Sequence, residues 1–154
     1  MPDLIASDST FSRQQQNILR FMVDMMIPAA VELPSAADDN IFTAIVALMT
    51  EHAGAIKQGL DAIEASSQKS FGNEFSKLDD AEKTSVINTF RFSQAELVNA
   101  IQVYVASSYY QDARVLASLG LQARPPHPGG YAVAATDWSL LEPVRSKGKI
   151  YRSA

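Results

Sequence analysis

Apolar residues recur at steps of three and four along most of the first 120 residues, which is the spacing of one face of an amphipathic α-helix. The recurring positions are Ile18, Leu19, Met22, Met25 and Met26, then Ile41, Ile45, Leu48 and Met49, then Ile56, Leu60 and Ile63, then Val86, Ile87 and Phe90, then Leu97, Ile101, Tyr104 and Val105, and finally Val115, Leu116 and Leu119. No stretch alternates with a period of two for more than a few residues, as a half-buried strand would. The pattern predicts an all-α fold, a five- to six-helix bundle.

Capping and helix-breaking residues predict where these helices begin and end. The predicted N-caps are Ser12, Asp38 or Asp39, Asp79, Ser93 and Asp112, and the predicted stops are Pro28 and Gly120. Ser93 and Glu96 form the S-x-x-E pattern of a capping box, which predicts that the longest helix begins there. Residues 51–54 predict a break between two helices, and residues 66–77 predict a linker.

Helical periodicity ends at Gly120, but the chain remains apolar and aromatic beyond it. The large apolar side chains of this last part include the single Trp of the chain, and they are Tyr131, Trp138, Leu140, Leu141 and Tyr151. Disordered tails are poor in such residues, because a segment rich in them gains free energy by burying them. We therefore expect this part of the chain to pack on a surface.

The chain divides into three parts on this basis. Residues 1–11 are expected to be a flexible N-terminus, residues 12–120 a helical domain (the body), and residues 121–154 an extended C-terminal arm (the arm). Consecutive prolines predict a polyproline-like path at residues 125–128, and residues 137–141 predict one helical turn capped by Asp137 or Thr136. The arm is expected to pack either on the body or on a second protein.

The net charge of the chain changes sign at the boundary between the body and the arm. The chain has 13 basic and 17 acidic residues and a net charge of −4. Five of those basic and two of those acidic residues lie in the arm, so the arm carries +3 and the rest of the chain −7. A basic arm can fold back on its own acidic body or reach a partner, and both interpretations stay open. An acidic body lacks the basic face of nucleic-acid-binding proteins, so no nucleic-acid partner is expected.

The sequence contains few residues or motifs typical of catalytic, metal-binding or nucleotide-binding sites. The absence of cysteine excludes disulfides and thiol catalysis, and the only histidines, His52 and His127, show no metal-ligand spacing. There is no G-x-G-x-x-G or Walker motif for a nucleotide phosphate, and no E-x-x-H pair of a di-iron bundle. We therefore predict no catalytic, cofactor-binding or metal site in this chain.

No targeting segment or membrane span is expected. No apolar run reaches the roughly 18 residues that a spanning helix needs. The start Met-Pro-Asp shows neither a secretory nor a twin-arginine signal, which predicts a cytoplasmic protein if Met1 is the native start.

Three places in the chain resemble the gluconate 2-dehydrogenase subunit 3 family. They are Met25-Met26-Ile27-Pro28 followed by Pro34-Ser35-Ala36-Ala37-Asp38; Phe75-Ser76-Lys77-Leu78; and Tyr109-Tyr110-Gln111-Asp112-Ala113-Arg114-Val115-Leu116 followed by Leu119-Gly120-Leu121 and Pro125-Pro126-His127-Pro128-Gly129-Gly130-Tyr131. Their order along the chain, over roughly residues 12–152, is more specific than any one of them.

The resemblance implies a non-catalytic small subunit that binds and stabilises a large dehydrogenase of the glucose–methanol–choline type. The FAD cofactor is expected in that partner, which oxidises a sugar or another alcohol, and an electron-accepting cytochrome is a further candidate partner. Many members of the family are exported, so a periplasmic location is the alternative to a cytoplasmic one. The predicted partner-binding residues are Tyr109, Tyr110, Tyr131, Trp138, Leu140, Leu141 and Tyr151.

Two other functions remain open. A stand-alone helical enzyme or ligand-binding protein would have a pocket closed by the arm, with His52 or His127 as the base. An arm-swapped homodimer would bury the arm of each protomer on the other.

Overall fold

The computed structural model describes residues 10–124, 127–130 and 132–149. Its helices are α1 (Arg13–Met26), α2 (Asp39–Leu48), α3 (Ala53–Phe71), α4 (Asp80–Ser93), α5 (Ala95–Tyr109), α6 (Ala113–Ser118) and α7 (Glu142–Arg145). Short 3-10 turns cover Met49–His52, Phe75–Lys77 and Trp138–Leu141. Within those ranges the chain forms no strand, only an isolated antiparallel bridge between Ala30 and Leu33. The all-α prediction is confirmed.

The core lies between α1, α2, α3, α4 and α5, with α3 in contact with α1, α4 and α5, and α2 against α5. Its largest fully buried side chains are Phe11, Ile18, Leu19, Met22, Ile41, Ile45, Met49, Ile56, Leu60, Ile63, Phe75 and Ile101. Most of them are the apolar positions whose spacing predicts the helices, because a helix buries the stripe that repeats at three and four residues. Phe11 is fully buried although it falls in the N-terminal part predicted to be flexible, so the packed body begins there.

A glycine lets α3 approach α4 and α5 closely. Gly59 is buried in α3, and a Cβ atom at this position would lie 2.5 Å from Cδ2 of Leu97 and 3.1 Å from Cζ of Phe90. Real Cβ atoms do not tolerate the shorter of these distances. A side chain at position 59 would therefore require the Leu97 side chain to move.

Most predicted helix caps are present. Ser12 Oγ accepts a hydrogen bond from the Gln15 amide at 3.2 Å, while the Gln15 side chain accepts one from the Ser12 amide at 3.1 Å. Asp79 and Glu82 form the same reciprocal capping box at the start of α4. Asp38 caps α2 and Asp112 caps α6, and α1 ends before Pro28, as predicted. Local sequence therefore determines these helix ends.

The prediction for Ser93 is wrong. Ser93 is the last residue of α4, where its hydroxyl donates to the carbonyl oxygen of Phe90 at 3.0 Å. Because α5 begins at Ala95, Gln94 alone separates the two helices, and Ser93 is not available as an N-cap for α5. An S-x-x-E pattern is only a local preference, and here the preceding helix continues through its serine.

The longest helix is α3, with 19 residues, and not α5. The predicted linker at residues 66–77 is wrong in its first half, because α3 continues to Phe71. Ser67 is fully buried there, and its hydroxyl donates to the carbonyl oxygen of Ile63 at 3.0 Å. The hydrogen bond satisfies the buried hydroxyl, and packing against the core offsets the weak helix preference of serine.

The body ends in a tight helix stop. Gly120 has a φ of +72°, its amide donates to the carbonyl of Ala117, and the Leu121 amide donates to the carbonyl of Leu116, each at 3.0 Å. These two bonds form a Schellman motif, in which the residue with positive φ is usually glycine. Gly120 thus ends the last helix of the body, as predicted, and the arm follows directly.

Candidate partner-binding site

The loop between α1 and α2, residues 27–38, is held by side chains from three helices, and we call it the braced loop. From α1, the Arg20 guanidinium donates to the Ala37 carbonyl at 2.6 Å, and Asp24 accepts a hydrogen bond from the Ser35 hydroxyl. From α5, the Tyr109 hydroxyl donates to the Pro34 carbonyl at 3.0 Å. From α6, Arg114 binds the carboxylate of Asp38. The carboxylates around this loop thus act as caps and braces.

Arg114 joins the braced loop to the N-terminus of α6. Its Nη1 and Nη2 atoms donate to the two carboxylate oxygens of Asp38 at 3.0 and 2.7 Å, and its Nε and Nη2 atoms donate to Asp112 at 3.0 and 2.9 Å. These hydrogen bonds to Arg114 lower the pKa of Asp38 and of Asp112 below their usual value and raise the pKa of Arg114. Both aspartates are also N-caps, so one guanidinium fixes two helix starts.

Tyr109 belongs to the core and not to the surface. Its side chain is only 3% exposed, and burial raises the pKa of its hydroxyl. The resemblance predicts that Tyr109 binds a partner, whereas the structure places it inside the body, where it holds Pro34. Tyr110 is 55% exposed, and its ring meets the ring of Tyr109 edge-on at 5.4 Å between centroids.

The tip of the braced loop is a two-residue turn. The Ala30 amide donates to the Leu33 carbonyl at 3.0 Å, and the Leu33 amide donates to the Ala30 carbonyl at 3.3 Å. Val31 and Glu32 lie between them, and Val31 is completely exposed. No pattern in the sequence singles out Val31, although the flanking Pro28 and Pro34 indicate a constrained loop.

The arm contains a short ordered segment. The Asp137 carboxylate accepts hydrogen bonds from the Ser139 amide at 3.0 Å and the Ser139 hydroxyl at 2.6 Å, which caps the predicted turn at Trp138–Leu141. Helix α7 follows at once, with an ion pair between Glu142 and Arg145 at 2.9 Å. The turn prediction and its Asp137 cap are confirmed.

The apolar side chains of the arm are presented to solvent. Every arm residue that the structure describes is exposed, with Trp138 at 65%, Leu140 at 73%, Leu141 at 40% and Val144 at 54%. Of the other predicted partner-binding residues, Tyr131 and Tyr151 lie outside the described residues. The described arm therefore does not bury its apolar residues on the body.

One groove of the body lies away from both histidines. The groove between α1, α4 and α5 has a volume of about 210 Å³ and is lined by Met22, Met25, Met26, Ile87, Asn88, Arg91, Val98 and Gln102. Neither histidine lines it: His52 Nδ1 lies 2.6 Å from the Tyr104 hydroxyl at the surface, and His127 is in the exposed arm. Over the described ranges, no group of three or more acidic, His or Cys residues is arranged to hold a metal ion.

The family model described as gluconate 2-dehydrogenase subunit 3 matches residues 13–140. The chain belongs to the gluconate 2-dehydrogenase subunit 3 family. The matched residues run from the first residue of α1 through the braced loop and into the Trp138 turn.

No significant match to a curated protein or to a solved structure was found for this member of the gluconate 2-dehydrogenase subunit 3 family. None of the helices in the described part of the chain has the length and apolar content that crossing a membrane requires.

Proposed function

We propose that this chain is a non-catalytic small subunit that binds and stabilises a large FAD-dependent dehydrogenase of the glucose–methanol–choline type, which oxidises a sugar or another alcohol. The observation that carries the proposal is the exposed apolar segment of the arm, Trp138 to Val144, in a chain of a dehydrogenase-subunit family. FAD belongs to the partner in this proposal, and an electron-accepting cytochrome is a further candidate member of the complex.

The arm gives this proposal its physical basis. Contiguous exposed apolar side chains commonly mark a protein interface, and Trp is enriched among the residues that dominate interface energy. Full burial of a side chain such as Leu140 or Leu141 stabilises a complex by about 1.5–3 kcal/mol before ordering costs are subtracted. The Asp137 cap lowers those ordering costs, because it holds the Trp138 turn in shape before any partner binds.

Stabilisation of the partner follows from binding alone. A subunit that binds the folded flavoprotein and not its unfolded chain raises the flavoprotein's stability by mass action. A chaperone-like role therefore needs no catalytic group in the small subunit. It needs an accessible contact surface, and the arm supplies one.

Purification of the tagged full-length chain from its source cells tests the proposal. We expect a larger protein to co-purify in a fixed ratio, with flavin absorbance and sugar or alcohol dehydrogenase activity. Deletion of residues 122–154 should abolish this, while the surface variant Val103→Ala, at an α5 residue that is 63% exposed, should not. A deletion variant that keeps its helical circular dichroism and still captures the flavoprotein in full would overturn the role of the arm.

Sedimentation of the pure chain tests the arm-swapped homodimer, which the opposite charges of arm and body favour. On the proposed function the isolated chain sediments as a monomer. A dimer that dissociates on deletion of residues 122–154 would instead assign the arm to a second copy.

A further inference from the structure

The groove between α1, α4 and α5 has an apolar floor and a polar rim. Its floor is formed by one buried side chain from each helix, namely Met22, Ile87 and Val98. Its rim carries three side chains with hydrogen-bond donors, which are Asn88, Arg91 and Gln102. A concave apolar surface with a small number of polar groups is the usual composition of a small-molecule site in a protein.

The residues of each wall share a helix face because their spacing follows the helical repeat. On α1, the steps of three and four residues relate Met22, Met25 and Met26, and on α4 three residues separate Asn88 from Arg91. Side chains at these spacings are neighbours on the surface of a helix. Met25, which is 38% exposed, forms the outer part of the α1 wall, and the flexible thioether side chains of this wall can adapt to the shape of a ligand.

The charge of the groove is opposite to that of the body. Among the described residues that line the groove, Arg91 is the one ionisable residue, so the lining carries +1, whereas the chain outside the arm carries −7. Within the described ranges Arg91 pairs with no carboxylate, and its Cζ atom lies 5.3 Å from the centroid of the Phe92 ring. By contrast, Arg20, Arg114 and Arg145 each bind a carboxylate of the chain. Arg91 is therefore a cation that an anionic ligand can pair with.

The two amide side chains of the rim are also without protein partners. In the described part of the chain, neither Asn88 nor Gln102 makes a side-chain hydrogen bond with another protein group. Each amide group has two N–H donors, and a guanidinium has five donors and no acceptor. An ionised carboxylate is the complementary group, because it only accepts hydrogen bonds and pairs strongly with a guanidinium. The rim thus favours a carboxylate and disfavours a cation.

We propose that this groove binds a small carboxylate that has an apolar tail. The guanidinium of Arg91 binds the carboxylate, with the amides of Asn88 and Gln102 as further donors, and the tail lies on the apolar floor against Met25. The volume of about 210 Å³ is below the roughly 300–1,000 Å³ of sites for drug-sized ligands, which limits the ligand to a compact one such as octanoate. This site is additional to the contact surface of the arm and does not depend on the flavoprotein.

Titration of the full-length chain with octanoate tests the proposal, with NMR of isotope-labelled methionine methyl groups as the readout. We expect saturable shifts of the Met22, Met25 and Met26 signals, while Met49, which is buried away from the groove, stays unchanged. Octanamide keeps the tail without the charge, and acetate keeps the charge without the tail, so each should bind roughly tenfold more weakly. Equal affinities for octanoate and octanamide, or no saturable shift with octanoate, would overturn the proposal.

Two arginine variants of the full-length chain locate the carboxylate. Arg91→Gln removes the charge from an exposed side chain, so it should leave the unfolding temperature close to that of the wild type and weaken octanoate binding roughly tenfold. Arg13→Gln is the matched control, since Arg13 is exposed at the start of α1 and does not line the groove. Wild-type affinity in Arg91→Gln, or an equal loss of affinity in both variants, would show that the carboxylate does not bind at this groove.

Discussion

The Tyr109 hydroxyl donates to the Pro34 carbonyl at 3.0 Å, and the two residues are 75 positions apart in sequence. This bond connects the end of α5 to the middle of the braced loop. The proline amide nitrogen carries no hydrogen, so the Pro34 carbonyl is the backbone group of that residue that needs a partner. Tyr109 supplies the partner from within the core.

Removal of that hydroxyl should destabilise the body. Tyr109→Phe keeps the buried ring but leaves the half-buried Pro34 carbonyl without its donor, which costs about 1–3 kcal/mol. Urea unfolding followed by circular dichroism measures the change. Tyr110→Phe is the matched control, since Tyr110 is exposed; equal stability losses in the two variants would contradict the role given to Tyr109.

The two functions of Asp38 can be separated by substitution. Asp38→Asn keeps a side-chain oxygen for the Asn40 amide and removes the charge that faces Arg114, whereas Asp38→Ala removes both. Loss of an N-cap costs about 1 kcal/mol, so the Ala variant should unfold at a lower urea concentration than the Asn variant. Identical unfolding midpoints would show that α2 does not depend on this cap.

The lowered pKa values of Asp38 and Asp112 predict an acid dependence of stability. Their carboxylates are deprotonated more readily in the folded chain than at the ordinary value of 3.8, mainly because Arg114 donates hydrogen bonds to them. Their contribution to the free energy of unfolding is therefore complete above that ordinary value and is lost as the pH falls through the lowered folded-state values.

Arg114→Gln isolates this acid effect from that of other carboxylates. We expect the wild type to lose more of its stability than Arg114→Gln when the pH is lowered from about 5 to about 3, because the variant lacks the charge that lowers both pKa values. The measurement is the urea midpoint at each pH. Parallel losses in the two proteins would assign the acid sensitivity to other groups.

A larger residue at position 59 should destabilise the core. Gly59→Ala places a methyl group 2.5 Å from the Leu97 side chain, and overpacking of this kind costs about 1–3 kcal/mol. Gly54→Ala is the control within the same helix, since nothing lies within 4 Å of its added Cβ and alanine favours a helix. Thermal unfolding should rank Gly54→Ala above the wild type and Gly59→Ala below it.

Trp138 should matter for binding and not for folding. Trp138→Ala is expected to weaken flavoprotein binding by about 2 kcal/mol, roughly 30-fold, as for an aromatic residue central to an interface. The unfolding temperature should be unchanged, because Trp138 is 65% exposed. Trp138→Phe should recover part of the affinity. A variant that unfolds early yet binds normally would place Trp138 in the fold instead.

The features that sequence predicted well are local. Ser12, Asp79 and Asp112 cap helices through atoms two or three residues away, so their types and spacing were sufficient. The prediction for Ser93 was wrong because α4 continues through this residue, which the S-x-x-E pattern alone does not show.

The contacts of the candidate partner-binding site are harder to predict from sequence than the helix caps, because many of them are not local. The exposed Trp138 turn follows from its Asp137 cap, but the braced loop depends on contacts with Tyr109 and Arg114, some 75 residues away. A tyrosine next to a tyrosine gives no sign of which ring is buried. Side-chain partners at such separations leave no periodic signal in one sequence.

The core residues of the described body all precede the arm in the sequence, and this order affects folding during synthesis. Among the residues that the structure describes, the last buried apolar side chain is Leu116, in α6, so the ribosome adds every core side chain of the described body before residues 121–154. Chains leave the ribosome from the N-terminus onward, so every core segment of the described body emerges ahead of the arm. The apolar side chains of the arm are therefore the last to become available, which limits their opportunity to pair with a core segment while the body folds.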